Sequence, residues 1–162
     1  MKKRITFLAV AVLSLSLFAW WYYQPERVLA RKLDKLFETV AFDPSTTRTG
    51  RVVKGSSLDN FFDSQVELTS PLDQANGNFS PEDIRGAYSY LSENASEISI
   101  KRDPDLLTEI EGDHATQQCE ADVNVAINRW LDGPNGHYQL TLHWRKTDQG
   151  WKIHSIDANR MP

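Results

Sequence analysis

The sequence predicts an α+β domain, a curved antiparallel sheet with helices packed on one face, preceded by one transmembrane helix. Three observations carry this. Residues 115–127 and 138–146 alternate apolar and polar side chains, and a period of two builds a sheet with one packed face and one wet face. Residues 28–40 instead repeat apolar side chains every three or four positions, the stripe of a helix that buries one side. Residues 5–23 carry no charge; at about 1.5 Å per residue they make a helix of about 28 Å, close to the hydrocarbon thickness of a bilayer.

In chain order, Lys2, Lys3 and Arg4 precede the uncharged run, and Trp20, Trp21, Tyr22 and Tyr23 close it as an aromatic belt. Cleavage after Ala19 would place bulky Leu17 at the −3 position, so residues 1–24 are expected to stay as a signal anchor. A cleaved signal and a secreted soluble binder is the alternative. No cysteine stands at the end of the run, which excludes a lipid-modified anchor. Arg27, Arg31, Lys32 and Lys35 follow closely, so the positive-inside rule is nearly balanced. The short basic leader favours export. The expected product is a single-pass cell-membrane protein with residues 25–162 outside the cytoplasm, periplasmic in a bacterium.

Beyond Pro25, Val28, Leu29, Leu33, Leu36, Phe37 and Val40 share one side of a helix, and Arg31, Lys32, Asp34, Lys35 and Glu38 the other. Residues 43–55, with Pro44, two glycines and several hydroxyls, read as a loop. Leu58, Phe61 and Phe62 make a helical turn, and residues 65–69 a short strand before Pro71. Ser80, Pro81, Glu82 and Asp83 start a second helix, which runs to about Glu93 with Ile84, Tyr88 and Leu91 along one side. The serine caps, proline at the first position has no amide to leave unpaired, and the acids face the positive end of the dipole. Residues 97–101 and 106–111 are strands, and Gly112-Asp113 turns the chain into the long strand 115–127. Further turns at residues 132–136 and 148–150 separate the last two strands.

Composition excludes several functions. Eighteen Lys and Arg face 22 Asp and Glu, and three of the basic residues precede the span, so the exported part carries about −7. Nucleic acid is therefore not an expected partner, because phosphate recognition needs clustered cations. Cys119 is the lone cysteine; on the apolar face of a strand it reads as a small buried hydrophobe. The four histidines show no metal-ligand spacing, no Gly-rich phosphate loop is present, and no nucleophile turn. No cofactor and no metal are expected.

From about Val28 to Pro162 the chain resembles a nuclear transport factor 2-like domain, the cone-shaped fold shared with ketosteroid isomerases and polyketide cyclases. The residues that carry the resemblance are Phe62 with Val66-Glu67-Leu68, the capped helix 80–91, Glu111-Gly112-Asp113-His114-Ala115, and Gly150-Trp151-Lys152-Ile153 with Ile156. Such families bind or transform small apolar molecules in the cone, or have lost the site and serve in assembly. The resemblance implies a cone lined by Cys119, Ala121, Val123, Tyr138, Leu140, Leu142, Trp144, Trp151 and Ile153.

Parity places Glu120, Asp122, His143 and His154 outside and His114 in a turn. Asp157 shares parity with Trp151 and Ile153, so it is the single carboxylate expected inside unless a bulge shifts the register, with Tyr88 able to face it. No catalytic residue is assigned. The expected function is a membrane-anchored binding or assembly module without catalysis; an isomerase- or cyclase-like enzyme acting on a small apolar molecule is the alternative. The outer face, Gln118, Glu120, Asp122 and Asn124 beside Thr141, His143 and Arg145, is expected to form cross-strand pairs such as Asp122 with Arg145 or His143. It also offers a contact surface for a second copy or an envelope partner.

Overall fold

The computed structural model describes residues 14, 16, 20–71, 75–127 and 134–162. The expected span, residues 5–23, lies mostly outside the described residues. Among those that are described, no helix is long and apolar enough to cross a membrane.

Helix α1 (Pro25–Val40) opens on proline and buries Leu29, Leu33, Leu36 and Thr39. Helix α2 (Arg48–Ser57) and a 3₁₀ turn (Leu58–Asn60) lead into β1 (Phe62–Thr69) and β2 (Gly77–Phe79). Helix α3 (Pro81–Asn94) is followed by β3 (Ala95–Glu111), β4 (His114–Ile127), β5 (Gly136–Thr147) and β6 (Gly150–Arg160). The six strands form one curved, unclosed sheet in the order β2-β1-β6-β5-β4-β3.

The start of α3 follows the sequence argument. The Ser80 hydroxyl accepts from the Asp83 amide at 3.2 Å, and the Asp83 carboxylate accepts from the Ser80 amide at 2.9 Å. This reciprocal cap satisfies two donors that the helix leaves unpaired. Alternation in β4 and β5 is equally direct: Ala115, Gln117, Cys119 and Ala121 are buried, as are Tyr138, Leu142 and Trp144.

Four features depart from expectation. Residues 48–57 are a helix, not part of a loop. Thr47 caps it by accepting from the Gly50 amide, and long cations tie it down: Arg51 donates to the Ser92 and Ala95 carbonyls, Lys54 to those of Glu38 and Ala41. Its one buried residue is Gly55, so no apolar stripe announces it. The pairing of β1 with β6 is parallel; the chain passes through β2, α3, β3, β4 and β5 before β6 returns beside β1, a crossover long enough for a parallel pair. The two strands expected at 97–101 and 106–111 are one strand, with a bulge between Arg102 and Leu106.

The fourth departure matters most for the site. Trp144 pairs with Ile153 but His143 pairs with Ser155, so β6 carries one extra residue at His154. A bulge reverses parity beyond it. Ile156 therefore stands beside Leu142, while Asp157 stands beside Thr141 on the outer face.

Candidate functional site

An open-mouthed groove of about 810 Å³ lies between α3 and the β1–β2 ribbon. Helix α3 supplies Ile84, Gly86, Ala87, Tyr88 and Leu91 to it, and the ribbon supplies Phe62, Leu68 and Phe79. Val40, Leu58 and Ala75 complete the apolar lining. The polar contributors are Asn78, Glu82 and Asp83. A mainly apolar concavity with a few polar groups suits a small apolar molecule.

The Asp83 carboxyl is held below the usual range by the Ser80 hydroxyl and then the Ser80 amide, so its charge is committed to the helix cap. Tyr88 is buried, meets Phe42 edge-on at 6.5 Å, and points its hydroxyl at the Thr39 carbonyl 3.5 Å away. Burial pushes its phenol up, with the Arg51 charge acting in the opposite sense. The titratable groups of the lining are Glu82, Asp83 and Tyr88.

The residues expected to line the cone stand elsewhere. Cys119, Leu142, Trp144, Trp151 and Ile153 join the core that α1 covers with Leu29, Leu33 and Leu36. Ala121 and Tyr138 are buried opposite one another, and Val123 and Leu140 are partly buried against the same core. Of the expected set, Tyr88 reaches the groove. Burial raises the Cys119 thiol to about 11, with Arg102 and Asp34 as smaller and opposing influences, which suits an inert core residue.

Asp157 is the clear correction. The β6 bulge carries it to the outer face, where its carboxylate lies 3.4 Å from His143 Nε2, while Tyr88 is directed at the Thr39 carbonyl. The expected cross-strand pairs also differ. Asp122 pairs with His137, and Arg145 reaches across to Asp63 through Nε at 2.9 Å. Burial alone would raise the Asp63 carboxyl, but the Ser64 amide and Arg145 outweigh it and hold it below the usual range. The rings of His114 and His143 each lie 6.2 Å from that of His154. Burial, then the charges of Arg145, His143 and His114, lowers His154.

Sequence reasoning missed the groove, Asp103 and His137. The interruption Asp103-Pro104-Asp105 in an otherwise alternating strand was a signal for Asp103. For His137, the signal was its place directly after Gly136 at a strand start.

No family model matches the sequence, and no curated protein matches it. Solved structures do. A nuclear transport factor 2-like protein from Cytophaga hutchinsonii superposes with a TM-score of 0.60 at 15% identity, over 85% of this chain and 99% of that one. A nuclear transport factor 2-like superfamily protein from Salmonella enterica gives 0.62 at 12% identity, covering 84% and 90%. A candidate scytalone dehydratase from Novosphingobium aromaticivorans gives 0.64 at 10% identity, covering 85% and 84%. The chain therefore has a nuclear transport factor 2-like fold. Identity at this level carries the fold and no activity.

Proposed function

We propose that this protein is a binding module without catalysis, holding a small apolar molecule in the groove between α3 and the β1–β2 ribbon. The observation that carries the reading is the groove itself, about 810 Å³ and walled mainly by apolar side chains. The dehydratase among its structural relatives favours an enzyme as the rival reading. Against it, the Asp83 carboxylate is committed to the helix cap and the Tyr88 hydroxyl is directed at the Thr39 carbonyl, whereas proton transfer needs a titratable group within hydrogen-bond reach of the substrate.

Gly86 gives a direct test. Gly86 lines the groove, and a Cβ built there meets no atom within 4 Å, so Gly86→Leu adds bulk at the groove's edge without crowding the core. Replacing a mid-helix glycine also removes a backbone cost of roughly 0.5–1 kcal/mol. The wild-type protein should be stabilised in thermal melts by at least one member of a panel of apolar ligands, by about 2.7 kcal/mol at a hundred times its Kd. Gly86→Leu should melt no lower than wild type and show no ligand-dependent shift. A wild-type protein indifferent to every ligand, or a Gly86→Leu variant that responds normally, would defeat the reading.

The proposal includes location: residues 5–23 hold the domain at a membrane, outside the cytoplasm. Trp20 and Tyr23 are exposed, and the Arg27 and Arg31 guanidinium groups stack 3.7 Å and 3.9 Å from the Trp21 and Tyr22 ring centres. Such an aromatic and basic collar supports an interfacial position. The protein should stay in the membrane fraction through alkaline carbonate washing with its N-terminus intact. A reporter active only outside the cytoplasm should work when fused after Pro162. Recovery of a soluble chain starting near Trp20 would end the anchor proposal; a silent external reporter with an active cytoplasmic one would reverse the topology.

A further inference from the structure

Away from the groove, side chains from three neighbouring strands converge on the outer face of the sheet. Asp103 stands in the β3 bulge, where the register passes from Arg102↔Ala121 to Leu106↔Cys119 and so gives β3 two residues more than β4. Glu120 projects from β4 and His137 from the start of β5. One ligand atom from each lies within 4.8 Å of those from the other two.

We propose that Asp103, Glu120 and His137 bind a divalent ion of the Zn²⁺ type. One imidazole nitrogen with two carboxylate oxygens is a donor set for a borderline ion, and it is poorly matched to Mg²⁺ or Ca²⁺, which take oxygen alone. Three protein ligands leave further positions to water or to a group brought by a partner. Glu120 and His137 are partly exposed, at 42% and 33% of their side-chain surface, so an ion reaches them without opening the fold.

Asp122 sets the geometry. Its Oδ1 lies 2.8 Å from His137 Nδ1, while Nε2 lies 3.1 Å from Glu120 Oε2. With the Nδ1 proton donated to Asp122, Nε2 presents its lone pair toward Glu120 and Asp103. A carboxylate behind a ligating imidazole fixes the tautomer and raises ligand basicity. Lys101 is the residue opposite Asp122 on β3, so a cation stands on the far side of that carboxylate.

Proton and ion compete for Nε2. Hydrogen bonds to Asp122 and then Glu120 hold His137 above its ordinary pKa. Binding requires the Nε2 lone pair free of its proton.

The test is isothermal titration of the full-length protein, in detergent, with zinc chloride alone. One equivalent should bind with a Kd of about 10 μM or tighter. Millimolar magnesium should not displace it. Glu120→Gln and His137→Gln should each weaken binding on the order of tenfold or more, and Asp122→Asn, a positioning change, by about 10- to 100-fold. Asp122→Asn should also shift the His137 ring ¹⁵N resonances toward the Nε2–H tautomer while the backbone amide spectrum keeps its folded dispersion, which separates lost positioning from lost folding. Melts of each variant without zinc confirm the fold. His143→Gln should leave the affinity unchanged. Weaker binding than about 100 μM, insensitivity to Glu120→Gln and His137→Gln, or loss on His143→Gln would overturn the proposal. The last outcome would place the ion at the His114–His143–His154 group.

Discussion

Trp144→Ala is expected to lower the free energy of unfolding by roughly 3–5 kcal/mol, the range for deleting a large aromatic side chain from a packed core. Trp144 is fully buried and has the largest volume of any fully buried described side chain. Its cross-strand neighbours are Ala115 on β4 and Ile153 on β6. The alanine is too small to fill the space an absent indole leaves, and Ile153 belongs to the same rigid cluster as Leu29 and Leu33 from α1. The cavity would therefore persist, adding its own cost to the lost transfer energy. Since small domains have only about 5–15 kcal/mol in total, the variant should show a much lower denaturation midpoint in guanidinium titrations. Trp144→Phe keeps an aromatic ring and removes an Nε1–H that finds no acceptor among the described residues; it should cost about half as much or less. A Trp144→Ala variant within about 1 kcal/mol of wild type would show that this side of the sheet does not hold the core.

What the sequence discloses and what it hides divide along a physical line. Local rules were readable. Ser80 and Asp83 announced a helix start, and the alternation of β4 and β5 announced which faces are buried, because both depend on neighbours within a few residues. Gln117 was reachable by the same logic: parity puts it inside, and it is fully buried with its amide donating to Thr108 Oγ1 at 3.2 Å. Features set by distant partners were not readable. The α2 helix has two glycines and exposed Val52 and Val53; distant carbonyls hold it through Arg51 and Lys54, and Gly55 lets Tyr88 approach until an added Cβ would stand 3.0 Å from the ring.

The groove was hidden for a similar reason. Ile84, Tyr88 and Leu91 form a stripe whether they pack flat on a sheet or wall an opening, and the choice depends on how far Leu68 and Phe79 stand away. Asp157 shows the limit of parity. One extra residue at His154 leaves no mark in composition, yet it moves a carboxylate from the core face to the side of His143. On the outer face, register rather than residue type chose the partners, setting Asp122 against His137.

Ala121→Trp should destabilise the protein by roughly 1–3 kcal/mol or more through overpacking, and it should do so without reporting on the groove. Ala121 is fully buried, with Arg102 opposite it on β3 and Tyr138 opposite it on β5. Arg102 reaches Asp34 on α1 at 3.0 Å, and Tyr138 is itself buried. An indole at this position must displace the Arg102–Asp34 pair, push Tyr138 from its site, or lift α1 from the sheet. Each route costs packing or leaves a charge without its partner. Because Ala121 does not line the groove, the part of the sample that remains folded should keep its ligand-dependent thermal shift. Gly86→Leu should behave in the opposite way, with stability kept and the shift lost. The two variants thus separate the core under α1 from the groove under α3. An Ala121→Trp protein that melts like wild type but no longer responds to ligand would place the ligand between α1 and the sheet, and the groove assignment would have to be abandoned.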